Sequence, residues 1–337
     1  MAAPHPLLAL PGMPGLQERV EKRLLAAVES DDPTMNEMAS HLVKAGGKRL
    51  RPLLGAMSAA TAAGPVPTGS DIADIGELVS DDAVTGGVAC ELVHVGSLHH
   101  DDVIDDAATR HGVESVNARW GNMRAILSGD FLLARASELA SSLGTEVAAL
   151  LAATIGRLCE GEVRELELAY RVDRSVDDYV AAIEGKTAAL YATTCRIGGI
   201  VSHLPPDQID ALAEYGLQYG LAFQVVDDIL DVIASDDELG KPAGHDVSEG
   251  IYNLPVLRAL AGPEGAELRT LLGGLLDADS QARVLALVRG GDAVAQATVE
   301  AAGYAQGAVT ALDRLPPSTA ARTLAGTARH LLVGLDR

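Results

Sequence analysis

A chain of 337 residues with 48% hydrophobic side chains can bury one large core or two ordinary ones. Its formal charge of −21 argues against nucleic acid as a partner, because phosphate contacts along a duplex need a basic face. Three cysteines without paired spacing, Cys90, Cys159 and Cys195, argue against a disulfide framework or a zinc site and fit a reducing cytoplasm.

Aromatic residues make up only 3% of the chain, and Ala and Leu dominate the apolar set, which favours helix over sheet. Residues 1–15 are rich in proline and read as a flexible tail, not a signal peptide. Apolar spacing predicts helices over 16–28, 35–45 and 52–63, the second stopped by Gly46-Gly47 and the third opened by Pro52. A turn-rich loop follows over 64–70. Residues 81–107 read as a first long helix, 112–121 as an irregular link, and 122–143 as a helix broken at Gly144-Thr145 before another over 145–170. Then come a short helix over 176–184, one over 186–203 with a kink at Gly198-Gly199, and a second long helix over 208–233. Residues 235–253 are polar and Gly-rich, hence a loop, and shorter Ala/Leu helices finish the chain. No stretch alternates long enough for a strand and no linker divides the chain, so 16–337 is expected to form a single all-α domain. No charge-free apolar run reaches the ~18 residues that span a bilayer.

Each long helix carries the same pattern. Asp101-Asp102-Val103-Ile104-Asp105 and Asp227-Asp228-Ile229-Leu230-Asp231 are both Asp-Asp-x-x-Asp. Residues four apart share a helix face, so Asp101 pairs with Asp105 and Asp227 with Asp231. Like charges at that spacing repel, and a cation relieves them. One such motif alone is an ordinary solvated face; two with identical spacing in apolar surroundings point to metal. All-oxygen carboxylate sites suit a hard ion such as Mg2+, and two facing one cavity would bind a polyphosphate. Asp102 and Asp228 lie about 100° round the helix and support the ligands from behind. Asp106 fits either role, and Asp81 and Asp82 suit a helix start.

Gly46-Gly47-Lys48-Arg49-Leu50-Arg51-Pro52, with Lys44, puts four cations into eight residues of an acidic chain. The segment is either a basic helix cap or a diphosphate site, for which close-approaching glycines followed by Lys and Arg are suited. His94 lies two helical turns before Asp101 and is placed to donate to a phosphate, whereas His99 and His100 suit a structural role. Arg110, Lys186, Thr187, Gln224 and Lys241 gain weight only as a set around the Asp motifs. No Ser/His or Cys/His pairing suggests a protein nucleophile.

These segments, together with residues 91–106, Gly129-Asp130, Gly185-Lys186-Thr187 and residues 223–231, resemble the trans-isoprenyl diphosphate synthases, or polyprenyl synthetases, in the family's order and over most of the chain. The resemblance implies an all-α bundle around a deep central cavity, usually a homodimer. It implies head-to-tail condensation of isopentenyl diphosphate with an allylic diphosphate, with three Mg2+ ions present when substrate is bound. By the same resemblance Lys48, Arg51 and His94 hold isopentenyl diphosphate. Asp101, Asp105, Asp227 and Asp231 bind magnesium. Arg110, Lys186, Thr187, Gln224 and Lys241 surround the allylic diphosphate and its reacting carbon.

One departure stands out. Where the family commonly has a second arginine after Arg110, this chain has His111, and a histidine is only partly charged near neutral pH. Weaker or pH-dependent isopentenyl diphosphate binding is expected there. In the family, bulk below the first Asp motif sets product length. Gly96 and Ser97, and Val93 a turn further, offer no aromatic plug, and one helical turn of ~5.4 Å matches roughly one isoprene unit. A C30–C50 product is expected, with a C20–C25 synthase such as a geranylgeranyl diphosphate synthase as the alternative. A terpene cyclase-like enzyme would have no use for Lys48, Arg51 and His94, and a non-catalytic subunit would have no need of two complete Asp motifs.

Overall fold

The computed structural model describes residues 5–64, 74–234 and 244–335. Its helices in chain order are α1 (Met13–Ala27), α2 (Pro33–Ala45), α3 (Leu50–Ala60), α4 (Ile75–Leu78), α5 (Asp81–Ile104), α6 (Val116–Trp120), α7 (Asn122–Ser142), α8 (Thr145–Glu167), α9 (Val176–Ile183), α10 (Ala189–Val201) and α11 (Pro206–Ile233). The remainder are α12 (His245–Ser248), α13 (Leu254–Ala261), α14 (Gly265–Leu271), α15 (Ala278–Gly290), α16 (Ala293–Ala311) and α17 (Thr319–His330). The fold is all-α, as expected. Among the described residues the β structure is one hairpin, β1 (Thr109–Arg110) against β2 (Val113–Glu114).

Local chemistry sets the helix ends. Asp32 accepts from the Met35 N–H at the start of α2, and Ser80 accepts from Ala83 N–H at the start of α5. Ser175 and Asp178 form a reciprocal capping box on α9. Asp81 and Asp82 therefore occupy the first turn of α5 rather than its cap, and Asp81 takes an ion pair from Arg19 at 2.6 Å.

α5 is buried almost all round, which makes it a central helix rather than a surface one. It packs against α3, α7 and α10. α11 packs against α10 and α16 and joins two hydrophobic clusters. Its N-terminal half, with Tyr215 and Tyr219, belongs to the cluster around α1–α3, α5 and α7. Its C-terminal half, with Val225, Ile229 and Val232, belongs to the cluster around α13–α16. α10 thus lies between the two helices that carry the Asp motifs.

Four expectations are corrected. Residues 5–15 are not a loose tail: Leu7 and Met13 are fully buried, and the His5 ring lies 4.8 Å from that of His330. The link over 112–121 is ordered as the hairpin and α6, with positive φ at His111 and Gly112 as a two-residue turn of twisted strands requires. α10 runs unbroken through Gly198 and Gly199. An added Cβ at Gly198 would strike the Gly55 carbonyl of α3, so the glycine serves a close helix crossing, not a kink. The irregularity comes earlier, as a π-helical turn over Glu184–Ala188. Residues 245–248 of the expected loop form α12, and residues 65–73 and 235–243 lie outside the described residues.

Candidate active site

The first Asp motif ends its helix. Asp105 is the C-cap of α5, Asp101 is half-buried, and Asp105 and Asp106 are exposed. The hairpin then folds the chain back over the motif. Arg110 donates to Asp102 Oδ1 from Nε at 2.8 Å and from Nη2 at 2.6 Å, and Asn117 Nδ2 donates to the Asp102 carbonyl at 2.8 Å. Asp102 is fully buried and anchors the hairpin.

The basic segment divides its labour. Arg49 has left-handed φ and is buried, held by Glu21 at 2.7 Å, the Val43 carbonyl at 2.6 Å and Glu91 at 3.4 Å. It fixes the loop. Arg51 instead lies 4.6 Å over the Tyr191 ring, and its buried Nε has no hydrogen-bond partner. Burial holds the His94 imidazole well below its ordinary pKa, and Arg51, His111, Arg110 and Arg49 all add to that effect. His94 thus lies in the field of several cationic side chains. Lys48 is exposed, near His5.

The π-helical turn packs between α8 and α11. Lys186 Nζ pairs with Glu165 at 2.6 Å and Glu162 at 2.8 Å. Burial works to lower its pKa, but the two carboxylates outweigh it and raise it. On the next residue, Thr187 Oγ1 donates to Gln224 Oε1 at 2.8 Å, and Gln224 Nε2 donates to Asp228 Oδ1 at 2.9 Å. Close glycines make this possible: an added Cβ at Gly161 would collide with the Lys186 backbone nitrogen. A π turn at such a place is a familiar mark of a working site.

On α11 Asp227 is exposed, while Asp228 and Asp231 are buried. Tyr179 donates to Asp228 Oδ2, and the Asp246 N–H donates to Asp231 Oδ2 at 3.3 Å. Burial pushes the Asp228 carboxyl well up, with Asp246 adding and the bonds from Tyr179 and Gln224 opposing. Lys241 lies outside the described residues.

The donors fit magnesium. All four proposed ligands are carboxylates. The Asp101 carboxyl is pushed up to about 7, chiefly by burial, opposed by Lys186 and reinforced by Glu162 and Asp105. A divalent cation relieves that crowding. Among the described residues no three acidic, imidazole or thiol groups form a preformed metal cage.

The chain-length residues separate. Ser97 shares the less buried face of α5 with His94 and Asp101, and donates to the His94 carbonyl at 2.9 Å. Val93 is buried, and a Cβ on Gly96 would lie 3.2 Å from the Gly129 carbonyl of α7. Gly96 is thus a helix-crossing residue, and the expectation that it lines an open path is corrected.

Glu162, Glu165, Tyr179, Asn117 and Asp246 are site residues that sequence reasoning missed. The signal for the first two was present: acids three apart on one helix, the spacing that shares a face. The others are single polar residues whose partners lie far along the chain.

The polyprenyl synthetase family model matches residues 32–288. A nonaprenyl diphosphate synthase of Mycobacterium tuberculosis is 38% identical over 310 residues, 91% of this chain and 89% of that one. The solved polyprenyl synthase of Caulobacter crescentus, complexed with calcium and isoprenyl diphosphate, superposes with a TM-score of 0.87 at 32% identity, covering 98% of each chain. The solved geranylgeranyl pyrophosphate synthase of Corynebacterium glutamicum gives 0.79 at 36% identity over 95% of each chain. With two Asp-Asp-x-x-Asp motifs, a lysine-threonine turn tied to the second of them and matches that run nearly end to end, this chain belongs to the polyprenyl synthetase family.

Proposed function

We propose that this prenyltransferase condenses isopentenyl diphosphate head to tail with an allylic diphosphate and releases an all-trans polyprenyl diphosphate of the C30–C50 class. The observation that carries the reading is the turn at 184–188, whose Lys186 charge acts on the Asp101 carboxyl and whose Thr187 bonds Gln224, three residues before Asp227.

Asp101, Asp105, Asp227 and Asp231 would hold Mg2+, which supplies charge neutralisation for a departing diphosphate. Lys186 and Arg110 add cationic donors on the same group. The allylic C1–O bond breaks with its electron pair going to the diphosphate. Arg51, His94 and Lys48 hold isopentenyl diphosphate so that its terminal alkene carbon bonds to C1. A proton then leaves C2 of the isopentenyl unit for the released diphosphate. Thr187 and Gln224 set oxygen dipoles beside the cation without a nucleophile that would trap it.

Small Ser97 on the less buried face of α5 supports the long product, as does the likeness to a nonaprenyl diphosphate synthase. The tight packing of Gly96 and Val93 favours the second reading, a C20–C25 product, as does the likeness to a geranylgeranyl pyrophosphate synthase. A homodimer is supported by the apolar side chains that α7 and α8 expose, Met123, Ile126, Leu127, Val163 and Leu166. No described helix is long and apolar enough to cross a membrane, and a cytoplasmic location is proposed. The test incubates pure protein with isopentenyl diphosphate, Mg2+ and primers of increasing length and measures product mass. A C30–C50 product supports the reading, a C20–C25 product selects the second, and no elongation of any primer overturns both.

A further inference from the structure

Four side chains form one directed relay from the back of the second Asp motif to the reacting centre. Tyr179, fully enclosed on α9, donates to Asp228 Oδ2. Gln224 Nε2 donates to Asp228 Oδ1 at 2.9 Å, which commits the other end of the amide, Oε1, to accept from Thr187 Oγ1 at 2.8 Å. A threonine hydroxyl has one hydrogen and two lone pairs. With its hydrogen given to Gln224, Thr187 can offer only lone pairs to whatever lies on its other side.

We propose that Tyr179 is a positioning residue for the prenyl transfer: by fixing Asp228 and, through it, the direction of the Gln224 amide, it keeps the Thr187 hydroxyl aimed lone-pair first at the allylic carbon. The inference rests on the functional reading above. An electron-rich oxygen stabilises positive charge developing at that carbon, whereas a hydroxyl hydrogen turned toward it opposes ionisation. An amide reversed end for end would impose that second arrangement. Tyr179 never touches substrate. Its hydroxyl holds one carboxylate oxygen of Asp228, so the other stays aligned on Gln224. Without it the carboxylate can turn out of reach of Gln224, and no other described hydrogen bond then sets which end of Gln224 faces Thr187. Dipoles held in place before reaction cost no reorganisation during it, which is why a remote hydroxyl can affect the rate.

The experiment is a double-mutant cycle on the full chain with Tyr179→Phe, Thr187→Val and the pair. It measures kcat with an allylic primer and with the 2-fluoro analogue of that primer, whose fluorine opposes cation formation. Tyr179→Phe is expected to lower kcat about tenfold, as loss of one modest electrostatic contribution does. It should leave KM for isopentenyl diphosphate unchanged and enlarge the rate ratio between the plain and fluorinated primers. In the Thr187→Val background the same change should add nothing. Losses that multiply, an unchanged fluorine ratio, or an effect confined to the magnesium dependence or the melting temperature would overturn the proposal. Gln224→Leu, which cuts the relay at its middle, serves if Tyr179→Phe does not fold; because Gln224 also faces the cation, its loss combined with that of Thr187→Val must fall short of their product, and a full product overturns the relay. If the unmodified protein elongates no primer, the functional reading itself has failed; if it does and the cycle is multiplicative, only the relay has.

Discussion

The two Asp-Asp-x-x-Asp motifs are written alike and held differently. The first is the end of a helix. Its last aspartate is a C-cap in solvent, and its middle one is gripped by Arg110 from a hairpin eight residues on. The second lies within α11, where the middle aspartate is held by two neutral donors, Tyr179 and Gln224. One motif is tied to a surface hairpin through a charged donor, and the other is tied to neighbouring helices through neutral ones.

The sharpest way to break this comparison is the exposed ligand of the second motif. Asp227→Asn should lower kcat/KM about a hundredfold or more with a much smaller effect on the melting temperature, because it removes a proposed magnesium ligand from an exposed position. Activity retained with a fall in melting temperature would make it structural. Next is the bridge between the motifs. Gly161→Val should push the turn carrying Lys186 and Thr187 off α8, and steady-state kinetics should record a loss in kcat of about a hundredfold, as small misplacements of reacting groups produce.

Urea unfolding compares the two grips directly. Arg110→Leu strands the buried Asp102 carboxylate and should cost about 3 kcal/mol, whereas Gln224→Leu leaves Asp228 its tyrosine and should cost about 1 kcal/mol. Equal losses would erase the distinction. A last contrast, absent at neutral pH and growing only as the solution is acidified, concerns His99, two residues before the first motif, where the second has Val225. Burial chiefly, with His100 and His41 adding, lowers the His99 imidazole to about 3. Between its unfolded value and that figure the unfolded chain binds the proton and the folded chain does not. This group therefore removes stability as pH falls below about 6.5, at about 1.4 kcal/mol per pH unit. His99→Leu should flatten that part of the stability profile, and an unchanged slope would show that His99 is not its source.

Much of the site was legible in the sequence because its spacing is local. The aspartates four apart lie where periodicity put them, at the C-terminal ends of the two long helices, whereas the lysine-threonine pair, expected to open a helix, stands in the π turn before it. What misled was orientation and partnership. Gly96 and Ser97 are neighbours in sequence, yet one faces α7 and the other the less buried side of α5, because successive helical residues differ by about 100°. Arg49 and Arg51 look interchangeable in the basic segment, but Glu21 and Glu91 claim the first and leave the second. The acids Glu162 and Glu165 gain a partner only when the turn over 184–188 delivers Lys186 to them.

The sequence by itself determined that the chain is helical, where its long helices carry carboxylates on one face, and which cations could meet a diphosphate, since these follow from the 3.6-residue repeat and the chemistry of each side chain. Only the tertiary structure decided which aspartate is tied to arginine and which to tyrosine. That tyrosine lies 49 residues away from its aspartate, and no periodic rule reaches so far. Such a pairing is set by which helices pack together.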